Sequence, residues 1–142
     1  MAINYFLVVR NRHQQISPGD VRKLIVSNFR PTVNPTSGFL ISEGATVTVG
    51  TEGTEMAEEA GATRPGLCVA FQIDKFDQYE PGITRMLQIT ELILRKFEGD
   101  ATLSFDFEET LLSRTDGQLA IFEIPEIWTS ERKRLFAKLQ QR

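Results

Sequence analysis

Residues 67–97 read LCVAFQIDKFDQYEPGITRMLQITELILRKF, and the hydrophobic period changes in the middle of that run. Leu67, Val69, Phe71 and Ile73 alternate with Cys68, Ala70, Gln72 and Asp74, which predicts a strand with one strongly apolar face. From about Glu80 and Pro81 onward, Ile83, Met86, Leu87, Thr90, Ile93, Leu94 and Phe97 recur at helical spacing, and Ile89 and Leu92 widen the stripe. Arg95 and Lys96 fall in the last turn, and Gly99 is placed to stop the helix. A helix with so broad a stripe belongs at the centre of a fold, packed on a sheet. The whole segment, connector included, reads as framework.

The flanking sequence supplies the rest of such a sheet. INYFLVVR (3–10) is apolar on both alternating faces, as suits an interior strand. Ser17, Pro18 and Asp20 then provide an N-cap, a first-turn proline and a first-turn acid, and Val21, Leu24, Ile25 and Phe29 fall on one side of a helix over 18–29. Residues 30–38, with Pro31 and Pro35, read as a loop. A hairpin is expected next, turning at Glu43 and Gly44 between Phe39, Leu40 and Ile41 on one arm and Val47 and Val49 on the other. Leu103, Phe105 and Phe107 alternate with Thr102, Ser104 and Asp106 in a half-exposed strand, and two more strands turn at Asp116-Gly117. Pro125 ends the last of them. A terminal helix follows Trp128, capped by Thr129 or Ser130, with Leu135, Phe136 and Leu139 inward. Strands in runs joined by short turns favour an α+β fold: an antiparallel or mixed sheet with helices packed mainly on one face.

At 142 residues the chain has the length of one domain, and no linker or repeat divides 1–142. Its net charge of -3 does not favour nucleic acid or an anionic membrane as partner. No apolar run approaches the roughly 18 residues of a membrane span. The first strand lacks the basic flank and cleavage site of a secretion signal, and the single Cys68 cannot form an internal disulfide, so the expected compartment is the cytoplasm.

Few residues offer chemistry. His13 is the sole histidine and lies in the polar stretch RNRHQQ, and with Cys68 the sole cysteine a His/Cys metal cluster of the usual composition is excluded. Cys68 would need a neighbouring base to act as a nucleophile, and its place in a strand reads as burial. The glycines match neither a dinucleotide nor a phosphate loop. The run Glu131, Arg132, Lys133, Arg134 reads as a solvated helix face. Carboxylates remain: Asp74 and Asp77 before the long helix, Asp106, Glu108 and Glu109 at a strand end, and Glu52, Glu55, Glu58 and Glu59 in the least core-like stretch of the chain. Such groups divide acid and base roles or hold a divalent ion when they converge, and otherwise form a wet rim or an electrostatic surface for a basic partner.

The sequence YFLVV near the start, the capped helix at Ser17 and above all VAFQIDKFDQYEPGITRMLQITELILRKFEGDATLSFD resemble the Sit-type bacterial immunity proteins, which accompany toxins exchanged between neighbouring cells. The resemblance spans residues 3–122 and is most specific over 66–115, through Ile73-Asp74-Lys75-Phe76, Tyr79, Met86-Leu87, Gly99-Asp100-Ala101 and Phe105. It implies a non-enzymatic protein that binds and neutralises a cognate toxin domain, with no cofactor and no metal. Against a basic toxin the contacts expected are Glu52, Glu55, Glu58 and Glu59, then Asp106, Glu108 and Glu109. Two alternatives stand beside this reading. One is a divalent-metal hydrolase built on Asp74, Asp106 and Glu109; the other is a structural or adaptor subunit that pairs through a strand edge or an apolar patch.

Overall fold

The fold is that of a computed structural model, which describes residues 2–53, 58–59, 61 and 65–140. Along the chain run β1 (Ala2–Arg10), α1 (Pro18–Phe29), β2 (Thr32–Val33), β3 (Leu40–Ser42), β4 (Ala45–Thr51), β5 (Leu67–Asp74), α2 (Tyr79–Lys96), β6 (Asp100–Phe105), β7 (Glu109–Thr115), β8 (Gln118–Ile121), α3 (Ser130–Leu135) and α4 (Ala137–Gln140). The strands form one sheet in the order β2-β3-β4-β5-β1-β6-β7-β8, and every pairing between them is antiparallel. This is an α+β architecture, and the doubly apolar β1 is an interior strand, hydrogen-bonded to β5 on one side and β6 on the other.

Strand register decides which side chains share a face. Tyr5, Leu7 and Val9 lie opposite Phe71, Val69 and Leu67 on β5 and opposite Phe105, Leu103 and Ala101 on β6. All of these except the exposed Phe105 join Val47 of β4 and Leu112 of β7 in a single apolar cluster containing Val21 and Ile25 of α1, Ile83, Met86, Leu87 and Ile93 of α2, and Phe136 and Leu139 from the C-terminal helices. Burying each such side chain contributes about 1.5–3 kcal/mol, so this face drives folding. The broad stripe on α2 is explained by two neighbours, the sheet strands β4 and β5 on one side and α3 on another. Trp128 closes the cluster at β7: its indole N–H donates to the Leu111 carbonyl at 3.2 Å, and its ring meets Phe136 edge-on at 5.6 Å.

The opposite face belongs to the other parity. One row crosses five strands as Thr48, Ala70, Phe6, Ser104 and Thr110; the next runs Gly50, Cys68, Val8, Thr102 and Ser113. Val8 is buried, yet it stands outside the apolar cluster, because it points away from the helices.

Local signals act where the sequence puts them. The Ser17 hydroxyl accepts the Asp20 N–H at 3.3 Å and Thr129 Oγ1 accepts the Arg132 N–H at 3.2 Å, so both helices start on side-chain caps. Glu43 and Gly44 (φ 52° and 86°) and Asp116 and Gly117 (φ 50° and 82°) have the two positive φ values of type I′ hairpin turns. At Gly44 a Cβ would lie 2.5 Å from the Gln78 carbonyl oxygen at the start of α2. Gly44→Ala is therefore expected to destabilise the protein by about 2 kcal/mol, seen as a lower urea midpoint with an unchanged m-value.

Four expectations are corrected. The stretch 30–38 contains a short strand: Thr32 and Val33 pair with Ile41 and Leu40. Gly99 does not end α2, which stops at Lys96 with extended Phe97 as its C-cap; glycine is required at 99 by φ 132° and by the Arg10 carbonyl, 2.5 Å from where a Cβ would lie. Strand β6 ends at Phe105, so Phe107 leaves the inward parity and occupies the turn. The terminal helix is broken at Phe136 into α3 and α4.

Candidate functional site

At one end of the sheet, the end of β5, the start of β1 and the β6–β7 turn lie side by side. Ala2 is opposite Asp74, and the Asp106 N–H donates to the Asn4 carbonyl at 3.0 Å. The two carboxylate groups of the sequence thus share one rim, with Asp74 and Asp77 on the β5 side and Asp106, Glu108 and Glu109 on the β6 side. Strand β1 lies between β5 and β6, which spaces those strands about 10 Å apart. Asp74 is engaged locally, its Oδ1 accepting the Phe76 N–H at 2.9 Å. Among the described residues no three His, Cys, Asp or Glu side chains come together as a cluster able to hold a metal ion.

The same rim is aromatic. Phe76 is 69% exposed, Phe107 47% and Phe105 38%. The connector after β5 is therefore surface, while the strand and helix it joins are framework as expected. Phe105 meets Tyr5 edge-on at 5.6 Å, and Phe107 stacks on Phe6 at 4.0 Å with the rings 14° from parallel. Burial, then a hydrogen bond with Tyr79, pushes the Tyr5 phenol far above its ordinary value, so it stays neutral at this rim.

Phe107 is held against its backbone preference. Asp106 and Phe107 have φ of 48° and 63°, with the Glu108 N–H donating to the Phe105 carbonyl at 2.8 Å. Among the described residues, the other two tight turns with paired positive φ values carry glycine at the second position; this one carries phenylalanine. A left-handed phenylalanine costs about 1–2 kcal/mol, which glycine would avoid.

The acidic stretch after β4 divides. Glu52 is buried: both oxygens accept from Arg10, Nε and Nη2 each at 2.7 Å, and Oε1 also accepts the Gly66 N–H at 2.8 Å. Its carboxylate is satisfied within the chain, tying β1 to the segment before β5. The Arg10 hydrogen bonds hold its pKa below the ordinary carboxylate value, against the opposing effect of burial. Glu58 and Glu59 are exposed, and Glu55 lies outside the described residues.

His13 is exposed and its backbone N–H donates to Asn11 Oδ1 at 2.8 Å. Cys68 is half-buried, and burial followed by the nearby Glu52 charge pushes its thiol up to about 11, far from the thiolate a nucleophile requires.

Two buried arginines escaped the sequence reading. Arg114 reaches the end of α2, donating to the carbonyls of Leu94 (2.6 Å), Phe97 (2.7 Å) and Gly99 (2.8 Å). Arg132, expected on a solvated face, is only 5% exposed; it donates to Thr84 Oγ1, the Ile127 carbonyl and both the carbonyl and carboxylate of Glu80, joining α3 to the start of α2. The signals were present: Arg114 has the inward parity of Leu112, and Arg132 precedes Phe136 by four residues and Leu139 by seven.

No helix among the described residues is long and apolar enough to cross a membrane. Comparison with curated proteins and with solved structures returns no match. The profile of one family, described as SitI3-like, matches residues 13–132, which takes in the chain from the loop after β1 to α3. The chain belongs to the SitI3-like family.

Proposed function

We propose that this chain is an immunity protein, one domain over 1–142, that binds and neutralises a cognate bacterial toxin in the cytoplasm of the cell that makes it. It acts by contact, without turnover and without a cofactor. The observation that carries the reading is the family match over residues 13–132. The exposed carboxylates support a basic partner, because complementary charge speeds encounter and disfavours wrong partners. Glu52, enclosed by Arg10 and Gly66, drops out of the contact set. Asp106, Glu108 and Glu109, with Glu58 and Glu59, are the contacts we assign.

If a gene adjacent to this chain's own encodes a large secreted toxin, coexpression with that toxin's C-terminal domain tests the reading directly. Restored growth and a copurifying complex are expected; free toxin domain and no protection would refute it. Within such a complex, the triple reversal Asp106→Lys, Glu108→Lys, Glu109→Lys is expected to slow association about tenfold and flatten its salt dependence. Unchanged rates there, with slowed association in Glu58→Lys/Glu59→Lys, would shift the contact to the segment before β5.

A further inference from the structure

We infer that the sheet face turned away from the helices is the docking surface, with Phe107 stacked on Phe6 as its anchor, and that its occupant is a protein surface with an uncharged centre flanked by lysine or arginine. This deepens the immunity reading and rests on it. A solvated antiparallel face is normally polar and carries its share of charge. Here 25% of all residues are charged, yet neither central row of the outward face holds one. Depletion of charge at the centre, with aromatic residues among small neutral ones, is the composition of a protein interface core.

Phe107 supplies a second observation. Its side chain returns over the outward face to stack on Phe6, and it does so from a left-handed backbone position that glycine fills in the other two described turns with paired positive φ. Strain of this kind persists where a side chain must be presented. Phe107 remains 47% exposed, so the stack leaves a surface for a partner to cover. The occupant's charge follows from the rim, since Asp106 and Glu108 flank Phe107 directly. A partner seated on Phe6 and Phe107 must face those carboxylates, and a basic border does so at the least cost.

The test uses the full chain and the toxin domain of the coexpression test, with affinity measured by calorimetry and folding checked by thermal melts. Phe107→Gly suits the turn's backbone, so it is expected to fold normally while binding about 30-fold more weakly, as loss of an interface anchor does. Thr102→Arg, which puts a charge in the middle of the face at an exposed position, is expected to weaken binding at least tenfold. Lys138→Glu, at an exposed position of α4, is the control and should bind as wild type. If wild type binds and Phe107→Gly and Thr102→Arg bind equally well, the docking surface is elsewhere and the immunity reading stands. If wild type does not bind the toxin domain, both fail. If the free chain proves to be a dimer that Thr102→Arg dissociates, the face belongs to a second copy and this inference is overturned.

Discussion

Replacing Arg114 with methionine is expected to lower stability by about 3 kcal/mol, the cost of leaving buried polar groups without a charged partner, and the melting midpoint by about 10 °C. The last carbonyls of a helix have no partner within it, and they carry the negative end of the helix dipole. At the end of α2 and just beyond it, the buried or half-buried carbonyls of Leu94, Phe97 and Gly99 are all answered by the Arg114 guanidinium from β7. Methionine keeps much of the arginine stem's bulk while removing every donor. The loss should therefore come from the carbonyls of Leu94, Phe97 and Gly99, and hydrogen exchange should report faster opening at the end of α2 than at its centre. A midpoint within 2 °C of wild type would show that water replaces the guanidinium at little cost.

The second large effect concerns Glu52 and depends on pH. At neutral pH, Glu52→Gln is expected to cost about 2 kcal/mol, through loss of charge-assisted hydrogen bonds, and about 6–8 °C in melting midpoint. The size is limited by Arg10, whose side chain is 36% exposed and keeps partial access to water. Because the folded carboxylate titrates below its ordinary value of 4.5, the ion pair stabilises the fold above that pH and loses its contribution as pH falls through the folded value. Wild type and Glu52→Gln should accordingly differ most near pH 7 and converge in acid below about 4.5. A difference that persists undiminished at pH 3 would mean that the contribution of Glu52 does not come from its ionised carboxylate.

Local patterns made much of the framework readable. Helix α1 occupies the predicted span, with Ser17 as cap; the turns at Glu43-Gly44 and Asp116-Gly117 fall where glycine permits positive φ; and alternation in β5 separates fully buried side chains from half-buried or exposed ones. Each depends on residues within a few positions of one another. Phe107 shows where that logic fails. Its alternation with Phe105 predicted an inward strand residue, but the chain turns after Phe105, and the ring crosses to the outward face to meet Phe6, about one hundred positions earlier in sequence. Glu52 fails in the same way, since its partner Arg10 is 42 residues distant.

The periodicities of this sequence determined its elements, its α+β class and which face of each strand would be apolar, because burying apolar surface enforces a period of two in strands and 3.6 in helices. Strand order, the sharing of one rim by two sets of carboxylates, and the burial of Glu52, Arg114 and Arg132 were decided by tertiary structure. Desolvated charge is tolerated only where distant donors and acceptors converge on it, and that convergence exists only once the sheet and helices have packed.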